Sequence, residues 1–200
     1  MSAPATSSVP QPASFIFTQD NMERVKGILA KYPDARSAVM PLLHLAQDQN
    51  GNWLPKAAMD HVADMLKMPA MKVYEMATFY TMYNLSPVGK HLVQVCTTTP
   101  CWLRGSDDIV AACRKKLGVN MGETTPDGQF TLAEVECLGA CVNAPMVQIG
   151  NDFYEDLTPD SMTDILEKLA RGEKPKTGSQ TGRQCSAPEG VVAPGTEADR

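Results

Sequence analysis

Four of the six cysteines in the sequence form two closely spaced pairs that could bind a metal cluster. Four residues separate Cys96 from Cys101, and three residues separate Cys137 from Cys141. Each pair begins where a predicted β-strand ends, and neighbouring strand ends of a packed sheet can lie side by side, so the two pairs can converge. A [2Fe–2S] cluster needs four thiolates, two on each iron. The spacing therefore predicts one [2Fe–2S] cluster with these four cysteines as its ligands.

The loops that carry the cysteines are suited to a negatively charged cluster. They are short, and their residues are mostly small or β-branched. Gly139 has no Cβ and lets the backbone approach closely, whereas Pro100 and Pro145 stiffen the loop ends. Backbone N–H groups that point at the sulfur atoms offset the charge of such a cluster. In these loops, backbone amides are therefore the main groups available to contact the sulfur atoms.

Three other interpretations of the cysteines stay open at this stage. A structural zinc site also takes four cysteines, although three residues between two ligands is a less usual spacing for zinc. Two disulfides would require an oxidising compartment, and buried free cysteines are common in protein cores. Cys113 shares an apolar helix face with Ile109 and Leu117, and Cys185 lies in a polar tail, so neither is expected to be a ligand.

The rest of the chain contains no motif that would complete an active site. There is no glycine-rich nucleotide fingerprint, no phosphate-binding loop and no local signature of a Ser-His-Asp or Cys-His set. We therefore expect no catalytic residues, and no nucleotide or flavin on this chain. A cluster that moves one electron at a time cannot accept a hydride, so its electrons must be exchanged with a cofactor on another polypeptide.

Composition excludes two further classes of function. Over 200 residues the formal net charge is −5, which argues against nucleic-acid binding because that needs a clustered basic face. No segment approaches the roughly 18–20 apolar residues of a membrane-spanning helix, and the N-terminus lacks the features of a secretory signal. The sequence predicts a cytoplasmic protein or an already matured chain without a direct membrane span.

Two kinds of pattern divide the chain into a helical part and an α/β part. Up to about residue 83, apolar residues recur at helical spacing in four segments, with Asp20 predicted to cap the first and Pro55 and Pro69 to open the third and fourth. Later residues predict the order β-α-β-β-β-α. Ser106 is predicted to cap the helix that follows the first strand, and Thr158 is predicted to cap the last helix.

These patterns predict four regions: residues 1–15 as a disordered N-terminus, 16–85 as a helical lobe, 86–172 as an α/β domain with the cluster, and 173–200 as a flexible tail.

Several short sequences around the cysteines are similar to one known family. The stretch GETTPDGQF at residues 122–130 precedes VECLGAC at residues 135–141, which Asn143-Ala-Pro145 follows. Arg104-Gly105 follows the first cysteine pair, and GNWLP at 51–55 and ATFY at 77–80 come earlier. Over roughly residues 16–172 the chain resembles the 24-kDa subunit family of NADH:quinone oxidoreductase, respiratory complex I.

The resemblance implies a thioredoxin-like [2Fe–2S] domain preceded by a small all-α helical lobe, with Cys96, Cys101, Cys137 and Cys141 as ligands. It implies an electron-transfer subunit of the peripheral arm, beside a flavin-bearing subunit that oxidises NADH and carries the FMN. Such a complex would place the chain on the cytoplasmic face of a bacterial membrane, or on the matrix side in mitochondria.

Two alternatives to this function remain. The same family architecture also occurs in NAD-linked hydrogenases and formate dehydrogenases, and a zinc-stabilised interaction module without redox function is the alternative from another class.

Overall fold

The computed structural model describes residues 11–183, so residues 1–10 of the predicted N-terminus and 184–200 of the predicted tail lie outside the described part. The chain divides into two compact units, Met1–Val88 and Gly89–Arg200. The first unit is helical and the second contains a five-stranded sheet. Among the described residues, no helix has the length and apolar character needed to cross a membrane.

The first unit contains the four predicted helices and one additional 3₁₀ turn at Ala35–Ala38. The helices are α1 (Gln19–Leu29), α2 (Val39–Gln49), α3 (Lys56–Leu66) and α4 (Ala70–Phe79). Their apolar faces meet in one core, in which the side chains of Leu42, Leu43 and Val62 are fully buried. Burial of these apolar faces, rather than helix propensity alone, holds helices of only 10 or 11 residues together.

The beginnings of these helices differ slightly from the prediction. Thr18, not Asp20, caps α1: its hydroxyl oxygen accepts a hydrogen bond from the backbone N–H of Asn21 at 3.3 Å, and Asp20 lies in the first turn. Pro55 and Pro69 occupy the N-cap positions of α3 and α4, one residue before the predicted place. Ahead of α1, Phe15 packs against the helical core, so the stretch assigned to a disordered N-terminus ends in contact with it.

Replacing Gly27 by alanine should stabilise the helical unit. Gly27 lies inside α1, and a Cβ at this position would meet no atom within 4 Å. Because glycine loses more conformational freedom in a helix than alanine does, Gly27→Ala is expected to raise the free energy of unfolding of this unit by about 0.5–1 kcal/mol. Urea denaturation of the full chain measures the change, and a lower midpoint for the helical unit would contradict the expectation.

The second unit is built on a mixed sheet with the strand order β2-β1-β3-β4-β5. Its elements are β1 (His91–Cys96), α5 (Thr99–Leu103), α6 (Ser106–Leu117), β2 (Phe130–Val135), β3 (Val147–Ile149), β4 (Asp152–Glu155), α7 (Pro159–Ala170) and β5 (Gly178–Ser179). The central strand β1 pairs in parallel with β2 and antiparallel with β3. The predicted α/β class and the predicted order of the main elements are confirmed.

A single apolar core joins the sheet to α6 and α7. Side chains at alternate positions of β1, such as Val93 and Val95, are fully buried and meet Ile109 of α6 and Ile165 of α7. Thr158 caps α7 as predicted, in a reciprocal capping box with Ser161. Gly105 rather than Ser106 occupies the N-cap of α6. The Ser106 hydroxyl is buried and has no hydrogen-bond partner among the described residues.

In the second unit, the structure adds a short α-helix and a short strand that the sequence did not predict. The helix α5 forms inside the first cysteine loop, where only a loop was expected. Strand β5 lies in the stretch 173–200 that was assigned to a flexible tail, and it pairs in parallel with β4. The beginning of that stretch is therefore part of the sheet.

Candidate functional site

The two cysteine pairs are brought together by the parallel pairing of β1 and β2. Cys96 is the last residue of β1 and lies opposite Val135, the last residue of β2. Cys137 follows Val135 by two residues. Both strands therefore end on the same side of the sheet, with a cysteine at or just beyond the strand end. Cys101 lies in the short helix α5, and Cys141 begins a 3₁₀ turn at Cys141–Asn143.

The four sulfur atoms form two pairs, and the members of each pair lie close to each other. The Sγ atoms of Cys137 and Cys141 are 3.3 Å apart. Cys96 and Cys101 influence each other's pKa, and Cys96 also influences the pKa values of Cys137 and Cys141. Within residues 11–183, no group of three or more histidine, cysteine or acidic side chains is arranged to hold a single metal ion.

A threonine that the sequence reasoning did not single out links the two pairs. The Thr98 hydroxyl lies 3.2 Å from the Cys96 sulfur, and Thr98 lowers the pKa of Cys137 as well as that of Cys96. It therefore affects the acidity of one thiol in each pair. The only signal for this role was its position two residues after Cys96, which does not distinguish it from its neighbours Thr97 and Thr99.

Backbone amides also point at the sulfur atoms, as predicted. The N–H of Gly139 donates to the Cys137 sulfur at 3.4 Å, and the backbone of Leu138 acts to lower the pKa of Cys96. Gly139 has a φ of +85°, a region that side-chain-bearing residues rarely adopt. Nothing lies within 4 Å of a Cβ placed there, so its backbone conformation, rather than a close approach, requires glycine.

The two pairs differ strongly in burial. Cys96 and Cys101 are each 1% exposed and lie in a small apolar cluster with Ala144 and Met146. Cys137 and Cys141 are exposed to solvent. The site therefore has an inner side, closed by the protein, and an outer side, open to solvent.

In each pair, one thiol is held as the stronger acid and the other as the weaker. Burial raises the pKa of Cys101 to about 12, and its hydrogen bond with Cys96 adds to the shift. Burial also acts to raise the pKa of Cys96, but hydrogen bonding, mainly with Thr98 and also with Cys101 and Leu138, brings the net pKa below the usual value. The Gly139 amide lowers the pKa of Cys137, whereas the hydrogen bond with Cys137 raises the pKa of Cys141.

The remaining two cysteines differ from these four. Cys113 is fully buried in the core formed by α6, α7 and the sheet, and burial raises its pKa to about 12. Its side chain fills space in the apolar core, as the sequence predicted. Cys185, which the sequence also excluded as a ligand, lies outside the described residues.

Fold and cysteine site together define a class of protein. A family model described as thioredoxin-like [2Fe-2S] ferredoxin matches residues 25–170. The chain of an NAD⁺-reducing [NiFe]-hydrogenase in the air-oxidized state has a similar fold, with a TM-score of 0.56 and 17% sequence identity over 65% of this chain and 23% of that chain. The fold class is therefore that of the thioredoxin-like [2Fe–2S] ferredoxins.

Relatives with higher sequence identity show which family within this fold class the chain belongs to. The chain is 60% identical over 158 residues to an NADH-quinone oxidoreductase subunit from Rickettsia bellii, a match that covers 78% of this chain and 95% of that protein. It is 53% identical over 179 residues to the mitochondrial NADH dehydrogenase [ubiquinone] flavoprotein 2 of Dictyostelium discoideum, a match that covers 88% and 72%. The chain belongs to this family, the 24-kDa subunit family of respiratory complex I.

Proposed function

We propose that this chain is the [2Fe–2S] electron-transfer subunit of an NADH:quinone oxidoreductase, with Cys96, Cys101, Cys137 and Cys141 as the cluster ligands. The observation that carries the proposal is the meeting of the two cysteine pairs at one end of the paired strands β1 and β2, where Cys96 influences the pKa values of both Cys137 and Cys141. The similarity to NADH-quinone oxidoreductase subunits of Rickettsia species supports the choice of complex.

The residues at the site fit such a cluster in number and kind. Four thiols in two contacting pairs match two irons with two thiolates each. When bound, the cluster supplies one-electron chemistry at a potential set by its surroundings. The Gly139 amide and the Thr98 hydroxyl already lie against sulfur atoms, where they would offset negative charge.

The uneven burial of the pairs assigns different tasks to the two sides of the site. The apolar cluster around Cys96 and Cys101 excludes water from the inner side. On the outer side, the exposed cysteines are accompanied by an exposed apolar residue in the same loop, Val142 at 56% exposure. We assign this outer side to electron exchange, because it leaves the ligand sulfurs accessible to a partner.

The proposed partner is a flavin-bearing subunit that oxidises NADH, because this chain has no evident nucleotide site and a one-electron centre cannot accept a hydride. In this assignment the FMN and NADH belong to that subunit, and this chain contributes no catalytic residue. The complex would lie at the cytoplasmic face of a bacterial membrane, or on the matrix side in mitochondria. An NAD-linked hydrogenase or formate dehydrogenase would use the same exchange with a different final partner.

Reduction of the purified chain by two different reductants tests the proposal. The protein is expected to contain two irons and two sulfides, and to give a rhombic electron paramagnetic resonance signal with dithionite but none with NADH. Adding the flavin-bearing subunit of the same complex should allow NADH to produce the signal. A colourless protein that contains zinc and no iron would instead establish the zinc-stabilised module.

A further inference from the structure

The chain continues past α7 and returns to the cysteine site. Residues 171–183 lie beyond the span 25–170 that the family model matches. Strand β5 pairs with the end of β4, with Gly178 opposite Tyr154 and Ser179 opposite Glu155, and the N–H of Gln180 donates to the Glu155 carbonyl at 3.0 Å. The segment is therefore anchored to the sheet before it reaches Arg183.

Arg183 connects this segment to the loop that carries Cys141. Its Nη2 donates to the carbonyl oxygen of Val142 at 2.6 Å and to Oδ1 of Asp156 at 2.5 Å. The Ser179 hydroxyl donates to the other oxygen of Asp156 at 2.6 Å and accepts from the N–H of Arg183 at 3.1 Å. One side chain thus joins the tail, the end of β4 and the residue that follows Cys141.

The carboxylate in this network is largely shielded from water. The side chain of Asp156 is 9% exposed and that of Arg183 is 35% exposed, so the pair is more protected than a surface ion pair. Asp156 also holds the cysteine loop through its backbone, because its N–H donates to the Asn143 carbonyl at 2.8 Å. Consecutive carbonyls of the 3₁₀ turn after Cys141 are therefore held by Arg183 and Asp156.

The exposed side of the site has a particular need for such support. Cys96 and Cys101 are fixed by the surrounding apolar packing, whereas Cys141 is exposed and lies in a short turn. A ligand that is only slightly misplaced weakens metal binding, and the partners that orient ligands matter nearly as much as the ligands themselves. The guanidinium also neutralises the carboxylate of Asp156, whose negative charge would otherwise oppose a negatively charged bound group.

We propose that Arg183 is a positioning residue for Cys141, which it holds in ligand geometry through Val142 while its charge balances Asp156. The proposal rests on the ligand set given under Proposed function. It extends the site beyond the residues matched by the family model, into a segment that the sequence assigned to a tail. A purely structural role for Arg183 would affect unfolding but leave the bound cluster unchanged.

Three variants of the full, cluster-loaded chain test the proposal. Arg183→Ala removes both hydrogen bonds and the charge, whereas Arg183→Lys keeps the charge but loses the planar geometry of the guanidinium. Arg171→Ala is the matched control, because Arg171 pairs with Glu173 in the same C-terminal region. The measurements are the rate of iron release to a chelator, the electron paramagnetic resonance signal and the reduction potential.

We expect Arg183→Ala to release iron roughly tenfold faster than wild type, since one charge-assisted hydrogen bond corresponds to about that factor. Its resonance signal should change and its potential should become more negative, because Asp156 is left without its counter-charge. Arg183→Lys should restore most of the potential and part of the retention of iron. Arg171→Ala should match wild type in all three measurements.

Equal iron release, signal and potential for Arg183→Ala and Arg171→Ala would overturn the positioning role. A wild-type protein without iron and sulfide is a different failure, because it refutes the proposed function together with the ligand set. The two outcomes are distinguished before any variant is compared, since the metal content of the wild-type protein is measured first.

Discussion

The variant Cys137→Ala is expected to lose nearly all of its iron and sulfide while keeping its fold. Cys137 is solvent-exposed, so removing its side chain leaves no cavity in the core. Its loss takes away one of four thiolates from the site. Changes to residues that only orient the ligands weaken metal sites by about 10–100-fold, so the loss of a ligand should reduce cluster content by at least roughly tenfold. Iron and sulfide analysis with visible absorption measures this.

Cys113→Ala is the matched control for the ligand variants. Cys113 belongs to the same unit but is buried in the main core, so its replacement should reduce stability slightly and leave cluster content unchanged. Cys141→Ala should behave like Cys137→Ala, and Cys185→Ala, in the part of the tail outside the described residues, should behave like wild type. Full iron content in Cys137→Ala, or its loss in Cys113→Ala, would contradict the ligand assignment.

The second large effect is expected at Gly89, two residues before β1. A Cβ on Gly89 would lie 2.7 Å from the carbonyl carbon of Phe130 and 2.9 Å from its nitrogen. These atoms belong to the backbone of β2, which hydrogen bonds hold in place: the N–H of His91 donates to the Gln129 carbonyl at 2.8 Å, and the N–H of Gly89 donates to the Thr131 hydroxyl at 2.6 Å. No flexible side chain is available to move aside.

Gly89→Ala should therefore destabilise the sheet-containing unit by about 3 kcal/mol, at the upper end of typical overpacking costs. Gly27→Ala introduces the same methyl group where there is space, and it should act in the opposite direction in the helical unit. Trp53 and Trp102 lie in different units, so chains with a single tryptophan can follow each unfolding transition separately. An unchanged transition for the Trp102 unit in Gly89→Ala would show that the two strands can separate without cost.

The parts of the site that follow strand periodicity could be predicted from the sequence. The predicted order β-α-β-β-β-α included β1 and β2, and β2 begins at Phe130, two residues after the turn-forming sequence Pro126-Asp127-Gly128. The proximity of Cys96 and Cys137 followed from the expectation that strand ends meet at one edge of the sheet. Helix boundaries were less accurate, because Thr18 and Asp20 are both good capping residues and only the backbone conformation decides between them.

Other parts depend on tertiary contacts that leave no local pattern. The five residues of α5 are too few to show helical periodicity, and β5 has only two residues. The roles of Thr98 and Arg183 arise because their partners, Cys137 and Val142, are distant in sequence. The difference in burial between the two cysteine pairs likewise depends on which residues of the loops fold over the site.

Anyone who wishes to graft this site onto another scaffold must transfer two adjacent parallel strands rather than two loops. Cys96 closes β1 opposite Val135, so the distance between the donor atoms is set by where each strand stops. Deleting one residue from β2 would shift Cys137 by about 3.3 Å along the strand and turn successive side chains to the opposite face. A recipient sheet must therefore match both strand lengths before it can accept the cysteines.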